Sequence, residues 1–149
     1  MSLQQDIMTA LKEAMKAKDQ TALTALRAVK SAILLAQTEA GGQDGLTEEQ
    51  ELKMLQKLVK QRKDSAAIYV EQGREDLAAP ELAEAEVISQ FLPEALSEEE
   101  IEKVVVKVIT ETGAEGMKDM GKVMGVVSQE LAGKADGKTI STIVRQKLA

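Results

Sequence analysis

The sequence predicts an all-α protein in two helical parts. Three observations carry this: apolar residues recur three and four apart in seven separate stretches, two capping boxes open predicted helices, and no stretch alternates as a strand does. Leu3, Ile7, Leu11, Ala14 and Met15 form the first stripe and predict a helix from about Ser2 to Lys16. Asp19 suits the N-cap of a second helix, whose stripe of Leu23, Leu26, Val29, Ile33 and Leu34 runs to about Ala40. Gly41-Gly42 with Asp44-Gly45 reads as a loop. Thr47-Glu48-Glu49-Gln50 is a capping box that starts a third helix, with Leu52, Leu55, Val59, Ala66 and Val70 as its buried face and Gly73 as its stop. A fourth helix is expected from Arg74 to Phe91, kinked or split at Pro80, which lacks the N–H that the ladder needs.

Leu92-Pro93-Glu94-Ala95-Leu96 then reads as a linker, which sets expected domains at 1–92 and 93–149. Ser97-Glu98-Glu99-Glu100 is the second capping box, and Ile101, Val104, Val105, Val108 and Ile109 follow it in helical register. Val104-Val105-Val106 favours strand locally, but it continues that stripe. Gly113 ends the helix. Met117, Met120, Val123, Met124, Val127 and Leu131 mark the next helix, closed by Gly133. Asp136-Gly137 reads as a turn pair, and Ile140, Ile143, Val144 and Leu148 mark the last helix.

Composition narrows the function. With no cysteine, neither a disulfide framework nor a thiolate metal site can form. With no histidine, serine–histidine and cysteine–histidine nucleophile systems are excluded. No metal and no cofactor are expected. Tyr69 and Phe91 are the only aromatic residues, so the core must be aliphatic, and the seven methionines read most simply as gap fillers within it. No apolar tract is long enough to span a membrane, and the N-terminus lacks a signal pattern, so cytoplasmic residence is the expectation.

Charge is unevenly distributed. The chain has a net charge of −6, yet Met117–Ala149 holds six basic residues (Lys118, Lys122, Lys134, Lys138, Arg145 and Lys147) against three acidic ones. That leaves −9 on residues 1–116. These six are the candidate nucleic-acid contacts, and Lys118, Lys122, Lys134 and Lys138 are expected along one rim around the turn between the two tail helices. The alternative is an ordinary solvated surface, since lysine is mostly exposed in any protein. Lys53, Lys57 and Lys60 share a stripe too, but Glu48, Glu49, Glu51 and Asp64 dilute it. Lys30 and Arg62 fall within apolar arcs and need partners there. Either they line a phosphate site between helices, or they share a carboxylate in a structural ion cluster, with Glu86 the best placed acid. Gly121 and Gly125 invite a phosphate-loop reading that fails for want of the required spacing and strand. Close helix packing is the better expectation for them.

Gly121-Lys122-Val123-Met124 followed by Gly133-Lys134-Ala135-Asp136 resembles the C-terminal tail of the GatB/YqeY family. Leu26-Arg27-Ala28-Val29-Lys30, Lys60-Gln61-Arg62-Lys63-Asp64-Ser65 and Phe91-Leu92-Pro93-Glu94-Ala95-Leu96-Ser97 extend the resemblance over nearly the whole chain. The family includes free-standing YqeY proteins and the tail domain of GatB, the tRNA-selecting subunit of a tRNA-dependent amidotransferase. The resemblance implies a small helical tail domain with tRNA as its candidate partner, contacted weakly and in a salt-sensitive way given the net charge. It also implies an alternative, an accessory or relic of glutamine-dependent carbon–nitrogen ligase activity. The residues give no support to that activity standing alone. An adaptor for a basic protein partner is the third reading, suited to the acidic body.

Overall fold

A computed structural model of the chain describes residues 2–39 and 45–149. Among the described residues there are seven α-helices, one short 3₁₀ turn and no strand. The Gly41-Gly42 and Asp44 part of the expected loop lies outside them. The chain divides into two compact units, Met1–Leu92 and Pro93–Ala149.

The first unit holds α1 (Leu3–Ala17), α2 (Gln20–Glu39), α3 (Glu48–Glu71) and α4 (Glu75–Ser89). Local chemistry sets each boundary. Ser2 caps α1 in a complete capping box with Gln5. Lys18 ends it in the left-handed region at φ 55, where its N–H reaches the carbonyls of Ala14 and Met15. The next residue caps α2: the Asp19 carboxylate accepts from the Ala22 N–H at 3.1 Å. Two residues, Lys18 and Asp19, thus turn the chain, and α1 packs against α2. Thr47 caps α3 in a box with Gln50. Gly73, at φ 73, makes the tight turn into α4.

Helix α4 runs unbroken through Pro80, contrary to the expected split. Pro80 lies early in α4 and is exposed, so the one ladder bond it removes frees a carbonyl that water can satisfy. The core is aliphatic: Ile7, Leu26, Val29, Leu55 and Ile88 are its most buried large members. Three residues of the expected stripes are exposed. Met15, Leu34 and Val70 are 54%, 53% and 51% exposed. Each sits at the edge of its helix's apolar arc, and the helices packed in this unit cover only part of that arc. The methionines are not core fillers as a class. Met8 and Met117 are also exposed, and Met54, Met120 and Met124 are only partly buried.

The second unit contains α5 (Glu98–Thr112), the 3₁₀ turn Met117–Asp119, α6 (Met120–Glu130) and α7 (Gly137–Leu148). Ser97 and Glu100 complete the capping box of α5, and Gly113 ends it at φ 69. Asp136 does not form a turn pair with Gly137. It is the N-cap of α7, with its carboxylate accepting from the Thr139 N–H at 2.6 Å. The two readings share the residue preference, since aspartate serves turns and N-caps alike. Val105, Val108, Val123, Val127 and Val144 are fully buried where the three helices meet. Met117 is not part of that stripe, because the 3₁₀ turn rotates it out to 45% exposure.

Candidate nucleic-acid interface

The positions of the six basic residues of the tail follow from how α5, α6 and α7 close on one another. Lys118 lies in the 3₁₀ turn and is exposed. Lys122 stands one turn further on, and its ammonium donates to the Thr112 carbonyl at 3.4 Å, at the C-terminal end of α5. Lys134 sits at the other end of α6. Its carbonyl accepts from the Leu96 N–H at 2.9 Å, just ahead of the N-terminus of α5. Helix α5 has 15 residues, so these two anchor points lie about 22 Å apart. The expected single rim is therefore not formed. Lys118 and Lys122 make one basic pair and Lys134 and Lys138 another, at opposite ends of the unit. The expectation treated the turn between α6 and α7 as a meeting point and neglected the length of α6 itself.

Lys138 is the second residue of α7, where the helix dipole is positive. A cation there weakens the helix slightly, so helix stability does not account for it. In that first turn the Asp136 carboxylate takes the Thr139 N–H and the Asp136 carbonyl takes the Ile140 N–H. Arg145 is exposed in the last turn of α7. Lys147 is engaged, its ammonium 2.6 Å from a Glu102 carboxylate oxygen on α5. That pair ties α7 to α5 and leaves Lys147 the least available of the six.

Gly121 and Gly125 do not serve helix packing. Both are exposed, and a Cβ built on either meets nothing within 4 Å. One turn apart on α6, they leave a strip of bare backbone beside Lys122. The expected close packing is therefore absent at both positions. The signal against that packing was present, since Val123 and Val127 hold the opposite, core-facing side of the same helix.

The expected ion cluster of the first unit is rearranged. The Arg62 Nε lies 3.5 Å from a Glu84 oxygen, with both side chains mostly buried at 15% and 17% exposure. Glu86, the acid expected there, is exposed and makes no such contact. Two residues along α4 turn a side chain through about 200°, which puts Glu84 on the α3 side and Glu86 away from it. Arg62 also donates from Nη1 to the Leu58 carbonyl at 3.2 Å. Its Nε makes no hydrogen bond, so the contact with Glu84 is a Coulomb pair rather than a bidentate one. Lys30 is exposed and takes no part. On the exposed side of α3, Lys53 and Lys60 pair with Glu49 and Asp64 at 2.8 and 3.0 Å, so that stripe is largely self-neutralised. Among the described residues no group of His, Cys, Asp and Glu could hold a metal ion, and no helix is long and apolar enough to cross a membrane.

Comparison with known proteins places this architecture. The family model described as Yqey-like protein matches residues 4–148. The chain belongs to the YqeY-like family. Among relatives, this YqeY-like chain is 36% identical over 126 residues to altered inheritance of mitochondria protein 41, mitochondrial, of Clavispora lusitaniae, covering 82% of the chain and 72% of the relative. It is 31% identical over 134 residues to the protein of that name from Saccharomyces cerevisiae (strain YJM789), covering 89% and 69%. It is also 40% identical over 73 residues to a glutamyl-tRNA(Gln) amidotransferase subunit of Thermococcus gammatolerans. That match takes in 46% of the YqeY-like chain but only 12% of the archaeal protein.

Proposed function

We propose that this YqeY-like protein is a non-catalytic module that contacts folded RNA, with tRNA as the ligand, through its second unit. The observation that carries the reading is the similarity to an amidotransferase component whose name ties it to Glu-tRNA(Gln), joined to the basic surface of that unit. Exposed Lys118 and Lys122 lie toward one end of α5 and the Lys134 backbone toward the other, and the roughly 22 Å length of that helix favours contact with separate phosphate runs of a folded RNA rather than one strand. The strip of bare backbone at Gly121 and Gly125 lets a sugar–phosphate chain approach close to Lys122. The unit has no aromatic residue on which bases could stack, so recognition is by shape and backbone.

Filter binding of the purified protein to total tRNA tests this, without nucleotide or glutamine and over a salt series. Retention that weakens steeply with salt supports the module. No retention at low salt refutes it. The amidotransferase similarity also motivates the accessory reading, in which glutamine is consumed when charged tRNA and ATP are added. Glutamine turnover by the protein alone would replace the present proposal with an enzymatic one.

A further inference from the structure

The seam between α1 and α2 in the first unit combines features that the RNA reading leaves unused. Residues 1–92 carry fifteen Asp and Glu against eleven Lys and Arg. Yet this seam presents Lys12, Arg27 and Lys30, all exposed and none paired with an acid among the described residues. Beside them Met8, Met15 and Leu34 stand in water at 43%, 54% and 53% exposure. On α1, Met8, Lys12 and Met15 fall within about 60° of one another, while Asp6 and Glu13 lie roughly 100° or more away. On α2, Arg27, Lys30 and Leu34 cluster likewise, and Glu39, the one acid of that helix, lies on the other side. Between the two helices is a depression of about 70 Å³ lined by Gln4, Ile7, Met8, Lys30, Ile33 and Leu34. Glu51 lines a neighbouring depression that shares Gln4 and Ile33.

We infer that the α1–α2 seam docks an acidic amphipathic helix from a partner protein. Charge complementarity selects it. Three unpaired cations on an otherwise acidic unit attract carboxylates, and they repel a basic helix. The depression supplies the other half, since an apolar concavity receives an aliphatic side chain from a helix laid along the groove. Met8 and Met15 are flexible enough to repack around it. The same concavity argues against a lipid surface, which needs a convex apolar face to insert. Phosphate contact alone would leave the exposed methionines and Leu34 unexplained.

Fluorescence anisotropy of the full chain with a labelled helical peptide tests the inference. The peptide carries leucines at i, i+3, i+4 and i+7 with glutamates on both flanks, and its control carries lysines there instead. The acidic peptide binds and the basic one does not. Binding weakens at least about tenfold in the exposed-site variant K12E/R27E/K30E and also in Leu34→Ser, each folded by circular dichroism. Equal affinity for both peptides, or no loss in the charge reversal, overturns it. So does anionic-vesicle or tRNA binding that the same reversal abolishes. Self-association that Leu34→Ser abolishes overturns it too, because α4 offers Glu75 and Glu86 on the same face as exposed Leu82, and a second copy would then be the occupant.

Discussion

Replacing Gly121 and Gly125 together by alanine should stabilise the second unit. Neither glycine has a positive φ, both lie within α6, and nothing stands within 4 Å of the added methyl groups. No packing penalty opposes the gain, which comes from the backbone entropy that glycine surrenders on entering a helix. Glycine in a helix interior costs about 0.8–1 kcal/mol relative to alanine, and Gly125 should return that in full. Gly121 is in the first turn and should return about half, for a total near 1.5 kcal/mol. In a unit this small, 1 kcal/mol moves Tm by about 4–8 °C, so the double variant should melt roughly 6–12 °C higher. Slower amide exchange at Val123 and Val127 in α6 would assign the gain to this unit. If the bare strip also receives a phosphate backbone, the same variant binds tRNA more weakly with every lysine intact. A variant less stable than wild type would refute the reasoning, because it would mean that these two positions are packed against something.

Two further outcomes follow from the first unit. Glu84→Gln leaves Arg62 mostly buried without its counter-charge and should cost about 1–3 kcal/mol in urea denaturation, whereas Glu86→Gln should stay within about 0.5 kcal/mol. Equal effects would remove Glu84 as the partner. Burial, with the nearby Glu48 charge second, holds the Glu51 carboxyl above its ordinary range. Its folded form therefore takes up a proton more readily than its unfolded form, and the ionised group weakens the fold at neutral pH. Glu51→Gln should raise the urea midpoint slightly at pH 7, with solvent screening keeping the gain small, and the difference should close as pH falls through the carboxylate range. A gap that widens on acidification would reverse the sign of the account.

Helix boundaries were the most legible part of the sequence, and for a local reason. Ser97 and Thr47 each satisfy backbone donors three residues ahead, so the cap and its helix are written within four positions. Pro80 does not split α4, because its cost depends on where in the helix it falls and on whether water reaches the freed carbonyl. Neither is a local property. The apolar stripes found the faces but not their width. Met15, Leu34 and Val70 follow the helical period and are still exposed, because burial depends on how many helices cover an arc. Arg62 was recognised as needing an acid from its place in an apolar arc. Choosing Glu84 over Glu86 required the rotation of α4 against α3, which no single-helix pattern contains. The lysines of the tail were identifiable as a charge contrast, while their division into two pairs appears only when α6 is laid along α5. Lys147 was grouped with the free cations because Glu102 is distant in sequence.

That division makes the RNA reading measurable in parts. Two variants, K118Q/K122Q and K134Q/K138Q, should each be compared with wild type by tRNA filter binding over a salt series. Each phosphate contact contributes about 0.7–0.9 to the slope of log K against log salt. Either variant should therefore flatten the slope by roughly 1.4–1.8, and the combined variant by about twice that, with tRNA identity making little difference. Unchanged affinity and slope in both folded variants would contradict the account and remove the second unit as an RNA-contacting surface.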